Sequence, residues 1–220
     1  IPFMLKSLFG KFRQARKAAQ PPTGTAYFEK LTKHRQILPL YDLYPIHQHS
    51  FIAPNASLIG EVFIGRDSAV MYGTVVRGDI NKVTIMNHCY VGENSVLHTA
   101  ASLPTGAPAE LIVGISAYVG PNCVLYSCIL EDFCQIGAGT VILEGARVEK
   151  YAIVLPNSVI PPGRLIPSKQ VWGGNPVQFI RNVYEMDEVY LRDSISSELK
   201  AAGEHMRQLE DFGHAHMYDS

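Results

Sequence analysis

Residues 112–172 read IVGISAYVG PNCVLYSCIL EDFCQIGAGT VILEGARVEK YAIVLPNSVI PPGRLIPSKQ VW, and an aliphatic or aromatic residue returns at every sixth position. The series is Ile112, Tyr118, Val124, Leu130, Ile136, Ile142, Val148, Val154, Ile160, Ile166 and Trp172. A period of six fits neither a helix of 3.6 residues per turn nor a simply alternating strand. It fits short strands joined by tight corners and stacked into a parallel β-helix. Three hexads make one triangular turn, and each apolar residue points into the prism onto its like from the coils above and below. Burying one such side chain is worth roughly 1.5–3 kcal/mol, but a single coil has nothing to bury it against, so stability belongs to the stack.

The same period runs upstream through Ile52, Leu58, Ile64, Val70 and Val76, slips by three residues in 77–84, and resumes at Ile85, Val91 and Leu97. A looser stretch, 99–110, then interrupts it. Gly60, Gly65, Gly92, Gly114, Gly120 and Gly137 stand beside apolar positions, as corners with little room for a side chain require. The chain divides into a basic amphipathic helix at 1–20, a connector at 21–49, an all-β solenoid at 50–176, and a C-terminal helix and tail at 177–220.

With 220 residues and a net charge of −1, the chain suits one main domain with extensions and excludes a nucleic-acid-binding role for the whole molecule. Charge is uneven: residues 1–20 hold Lys6, Lys11, Arg13, Arg16 and Lys17 and no acid. Opposite these, Phe3, Met4, Leu5, Leu8, Phe9 and Phe12 form an apolar side, a pattern suited to an anionic membrane surface or to a partner protein. A mitochondrial presequence has the same character, and the start at Ile1 rather than Met raises the expectation of processing. No apolar run reaches the ~18–20 residues that span a bilayer. Cys89, Cys123, Cys128 and Cys134 match no paired-cysteine zinc pattern and read as reduced, small core or corner residues. His34, His47 and His49 in the connector read as solvent-facing or hydrogen-bonded, and His214 and His216 as part of a polar tail. Leu191, Ile195, Leu199, Ala202, Met206 and Leu209 draw one apolar stripe along a helix of about 184–211, which must pack on a flat side of the prism. Gly203 weakens that helix by about 1 kcal/mol relative to Ala.

Four ordered motifs carry a resemblance. They are Val76-Arg77-Gly78-Asp79-Ile80-Asn81, Val96-Leu97-His98-Thr99, Val119-Gly120-Pro121-Asn122-Cys123-Val124-Leu125-Tyr126-Ser127-Cys128, and Val171-Trp172-Gly173-Gly174-Asn175-Pro176. In order and spacing they resemble the γ-class carbonic anhydrases. With Tyr27 to Arg35 and the long C-terminal helix, the match extends over about residues 25–210 to the γ-carbonic anhydrase subunits of mitochondrial respiratory complex I. The resemblance implies a left-handed β-helix that forms trimers, with zinc at each subunit interface held by two histidines of one subunit and a third of its neighbour.

Mapped onto this chain, the first ligand falls on His98, the second on Pro121 and the third on Tyr126. Proline offers no side-chain lone pair, and a phenol with an ordinary pKa of about 10 is a poor zinc ligand at neutral pH. Catalytic zinc needs three protein ligands and an open position for the water it activates, so no standard zinc is expected at either interface of this chain. The family's active-site glutamine falls on Gly92. Arg77 and Asp79 match the family's arginine-glycine-aspartate, which resembles a trimer contact. Trp172 reads as a packing cap on the last coil.

The expectation is therefore a non-catalytic subunit. It would join two other γ-carbonic-anhydrase family subunits in a heterotrimer on the matrix side of complex I, peripheral to the mitochondrial inner membrane. Its basic N-terminus would contact inner-membrane lipid or the membrane arm of the complex. No cofactor is expected on this chain alone, with zinc confined to an interface between partner subunits. The alternatives are an active carbonic anhydrase with unusual ligands, a hexapeptide acyltransferase using His98 or His88 as base, or a bicarbonate-binding module at the interface.

Overall fold

The computed structural model describes residues 36–211 apart from 41, 105 and 107. The predicted N-terminal helix with Lys6, Lys11, Arg13, Arg16 and Lys17, the segment Tyr27 to Arg35, and the tail with His214 and His216 lie outside the described residues.

Parallel strands stack into a solenoid of about seven turns with three flat faces. The first face is built from Ile37–Leu38, the start of Ser57–Ile64, the start of Val75–Ile85, Val96–His98, Val124–Tyr126, Val141–Ile142 and Val159–Ile160. The second holds Ile46–His47, the ends of the same two long strands, Leu111–Val113, Ile129–Leu130, Arg147–Val148 and Leu165–Ile166. The third runs through Phe51–Ile52, Ala69–Val70, Tyr90–Val91, Tyr118–Val119, Gln135–Ile136, Ile153–Val154 and Gln170–Gly173. Coiling begins before residue 50, inside the stretch read as a connector. The two-residue strands Ile37–Leu38 and Ile46–His47 pair in parallel with Ser57–Ile64, and such fragments are too short to show a period.

The inward residues are fully buried aliphatics, Leu58, Val76, Leu97, Leu125, Ile142 and Ile160 on the first face and Ile64, Ile85, Val113, Leu130, Val148 and Ile166 on the second. The six-residue series is thereby corrected at its start. Val113, Val119 and Leu125 point inward, not Ile112, Tyr118 and Val124, and Val124 is 38% exposed. Pairing of Leu125 with Leu97 and of Leu130 with Val113 fixes the phase. The step from Leu125 to Leu130 is one residue short because Ser127, in the left-handed region at φ 39°, turns the corner early. A one-residue slip moves every side chain to the opposite face.

Two residues before most inward aliphatics sits a small buried residue, among them Thr74, Ser95, Cys89, Cys123, Cys128 and Cys134. Thr74 Oγ1 donates to the Gly92 carbonyl at 2.9 Å, Ser95 Oγ to Gly120 at 3.1 Å, and Cys89 Sγ to Gly114 at 2.9 Å. The four thiols are free and buried, and Cys123 Sγ, like that of Cys89, donates to a carbonyl of the next coil, Gly137 at 3.2 Å. Burial pushes Cys89 and Cys128 up to about 12. At the last coil Trp172 is 8% exposed, with Arg164 5.0 Å over its ring and Phe179 edge-on at 6.0 Å.

After an antiparallel strand, Gln178–Asn182, comes helix α1 (Glu185–Asp211). Asp187 accepts the Tyr184 amide at 2.8 Å and the Arg181 guanidinium at 2.6 and 3.0 Å, fixing the start of the helix. As the apolar stripe predicts, Leu191, Ile195 and Ala202 are buried, and Leu199 and Met206 pack against the solenoid core. His205 meets Phe51 and Tyr72 of the third face, hydrogen-bonding the Tyr72 hydroxyl at 2.9 Å.

Candidate functional site

One rung-to-rung column on the outside of the first face gathers the residues singled out in the sequence. Arg77 pairs in register with His98, and His98 with Tyr126, so positions 21 and 28 residues apart become neighbours on successive coils. The His98 and Tyr126 rings meet edge-on with centroids 5.1 Å apart. Tyr126 also packs against a small cluster, Ala100, Leu103 and Ala109, contributed by the looser 99–110 excursion.

Arg77 and Asp79 pair within this chain, the guanidinium donating to Asp79 Oδ2 at 2.6 Å. The bond is possible because the strand Val75–Ile85 turns the corner without a break and carries three extra residues there, Gly78 pairing with Gly60 and Val83 with Val62. Arg77 holds the Asp79 carboxyl below the usual carboxylate range, against the opposing cost of burial. Burial lowers the His98 imidazole below its ordinary value, Arg77 adds to that, and Asp79 opposes it. Two side-chain atoms in and beside this column, Asp79 Oδ1 and His98 Nδ1, are buried with no hydrogen-bond partner among the described residues. A buried polar atom left unpaired costs about 1–3 kcal/mol, so both call for a donor or acceptor from outside the described residues.

Pro121 stands apart from this column, at the corner after Tyr118–Val119 of the third face. Gly92 lies directly against it: a Cβ on Gly92 would meet the Pro121 nitrogen at 2.5 Å. Position 92 therefore has no room for a glutamine side chain at this corner as the corner is now built.

The donors do not fit a zinc ion. His98 and Tyr126 bring one imidazole and one phenol to the same face, Pro121 brings none to the corner, and three strong donors with an open position are what zinc catalysis uses. Among the described residues no three His, Cys, Asp or Glu side chains converge on a point. His88, the other solenoid histidine, is exposed at the corner before the third face and does not join His98. His49, at the same corner one coil pair earlier, is held 3.4 Å from Asp67.

The sequence reading passed over a second concavity, between α1 and that corner, lined by His49, Asp67 and His88 on one side and by Arg192, Lys200 and Arg207 on the other. A signal was present in the sequence: the three basic residues of the helix recur at steps of eight and seven beside its apolar stripe.

Comparison with known proteins places this geometry. The chain is similar to Gamma carbonic anhydrase 1, mitochondrial, of Arabidopsis thaliana, with 36% identity over 184 residues, 83% of this chain and 67% of that protein. It is 43% identical over 150 residues to Gamma carbonic anhydrase-like 2, mitochondrial, of the same plant, covering 68% of this chain and 59% of that one. It thus spans about three-fifths to two-thirds of the length of these relatives. Among solved structures, a hexapeptide transferase family protein from Anaplasma phagocytophilum superimposes with a TM-score of 0.70 at 28% identity, over 76% of this chain and 95% of that one. The solenoid matches the left-handed β-helix of such hexapeptide-repeat neighbours. No protein-family profile matches the chain.

Proposed function

From the premise that this chain belongs to the γ-carbonic anhydrase family, we propose that it is a non-catalytic member that serves as one subunit of a heterotrimer with two other family members. We place that trimer on the matrix side of mitochondrial complex I. The family relatives are mitochondrial, and the resemblance of Tyr27 to Arg35 and of the C-terminal helix to complex I subunits motivates the finer placement.

The observation that carries the loss of catalysis is the contact of His98 with Tyr126 on adjacent rungs, where the family's second imidazole of the pair would stand. The chain keeps one donor of that pair, and Pro121 has none to lend to a neighbour. What supports assembly is the pair of buried atoms beside Arg77, Asp79 Oδ1 and His98 Nδ1, that have no partner among the described residues. A neighbouring subunit can complete both hydrogen bonds, and the Arg77–Asp79 pair fixes the orientation in which it docks.

The test is isolation of the full chain from its native source with whatever accompanies it, followed by metal analysis and an assay for CO₂ hydration. The expected result is an assembly of three family subunits in which no zinc depends on this chain's His98. Stoichiometric zinc with CO₂ hydration, both lost on His98→Ala in this chain, overturns the proposal.

A further inference from the structure

Helix α1 sorts its charges. Its three basic residues, Arg192, Lys200 and Arg207, all line one cavity of about 690 Å³ between the helix and the corner that leads into the third face, and none of its acidic side chains among the described residues lines that cavity. Among the described residues these three cations make no ion pair. The opposite wall brings one carboxylate, Asp67, which is already held by His49. The floor between the walls is apolar, with Phe51, Leu199 and Met206.

Gly203 lies in the lining, inside a 27-residue helix where glycine costs about 1 kcal/mol relative to alanine. Neither backbone nor packing demands it. Its φ is outside the left-handed region, and a Cβ there would meet no heavy atom within 4 Å. What the glycine leaves is open space, on the side of the helix that carries the cations.

We infer that this groove binds an alkyl phosphate, one phosphate-bearing lipid whose chain lies along the apolar floor and whose phosphate is held by the basic side of α1. At 1.5 Å per residue the cations spread over about 22 Å, so any one phosphate meets part of the row, and what an alkyl phosphate adds over a small free anion is the contact of its chain with Phe51, Leu199 and Met206 along the groove. A peptide strand is disfavoured because the corner offers it no backbone partner. The amides of Asp67, His88, Ser116 and Phe133 already donate to His49, Arg66, Asn87 and Ile115 of the preceding coils. Against such a wall a peptide's own amides stay unpaired, whereas an alkyl chain needs no hydrogen bonds. The site is at a different corner from Pro121 and on a different face from His98, and it stands whether or not the family reading of catalysis does.

The full chain is titrated by calorimetry with dodecyl phosphate, dodecyl maltoside and inorganic phosphate, each surfactant below its micelle concentration. Dodecyl phosphate is expected to bind one to one, at least tenfold tighter than either control. Replacing Arg192, Lys200 and Arg207 together with Gln lowers its affinity to that of the maltoside. Gly203→Leu fills the groove and lowers affinity at least tenfold, and Gly203→Ala lowers it less while raising the melting temperature, which separates a blocked site from a misfolded chain. Equal binding of the maltoside, inorganic phosphate binding as tightly as dodecyl phosphate, or unchanged affinity in both Gly203 variants overturns the assignment.

Discussion

Two ladders climb the first face through the same strands, one residue apart. The inner one, Val76, Leu97, Leu125, is aliphatic and sealed from solvent; the outer one, Arg77, His98, Tyr126, is polar or aromatic and partly open. The inner ladder is closed on itself, since each rung finds its partners above and below. The outer ladder is open, and among the described residues Asp79 Oδ1 and His98 Nδ1 have no partner. The difference separates what the prism needs in order to fold from what it offers to a neighbour.

The comparison breaks most sharply at its thinnest point, Val124 and Leu125. Leu125→Asp buries an unpaired charge and is expected to leave no folded protein, whereas Val124→Asp, on a side chain 38% exposed, shifts stability by about 0.5 kcal/mol or less, read by circular dichroism and urea melts. Next in size, Leu97→Ala removes a fully buried side chain and costs about 2–5 kcal/mol. His98→Ala on the same strand is expected to cost under about 1 kcal/mol in the isolated chain and to act instead on recovery of the trimer we propose.

Alkaline pH probes the interior without a mutation. Cys89 and Cys128 are held up at about 12 in the fold against 9.0 for an ordinary thiol, so the folded state keeps protons that the unfolded state gives up. Their contribution is complete below pH 9 and is lost as pH rises toward 12, at about 1.4 kcal/mol per pH unit for each thiol. Denaturation midpoints between pH 8 and 10.5 should fall more steeply for the native chain than for Cys89→Ala/Cys128→Ala.

A smaller pH effect, in acid, belongs to the outer pair. Asp79 is depressed by Arg77, so its contribution is present above the ordinary carboxylate pKa of 3.8 and fades as pH falls below it. Arg77 is 40% exposed, which screens the pair, and Asp79→Asn is expected to cost about 1 kcal/mol at neutral pH and nothing measurable in acid. A cost that persists in acid would mean that packing, not charge, holds this corner.

Much of the architecture was readable because repetition leaves a trace that no single residue could. The phase was misread over Ile112, Tyr118 and Val124 for a specific reason: in Tyr118-Val119 and Val124-Leu125 both members are apolar, and only strand pairing decides which faces in. His98, Pro121 and Tyr126 were legible as a set through family resemblance. That His98 touches Tyr126 and that Pro121 stands on another corner followed from coil stacking. Of the groove under α1 only the basic row of the helix left a trace in the sequence, since its walls come from residues 49–133 and 192–207, joined by no motif.

The sequence by itself determined the prism: a period of six, small residues at the corners, and a helix with one apolar side admit few other packings. Only the tertiary structure decided the register of the first three strands after the 99–110 excursion, the pairing of Arg77 with Asp79 inside one chain, and the space that Gly203 leaves. Period is a property of neighbouring residues along the chain, whereas register, pairing and empty volume depend on which coil lies above which.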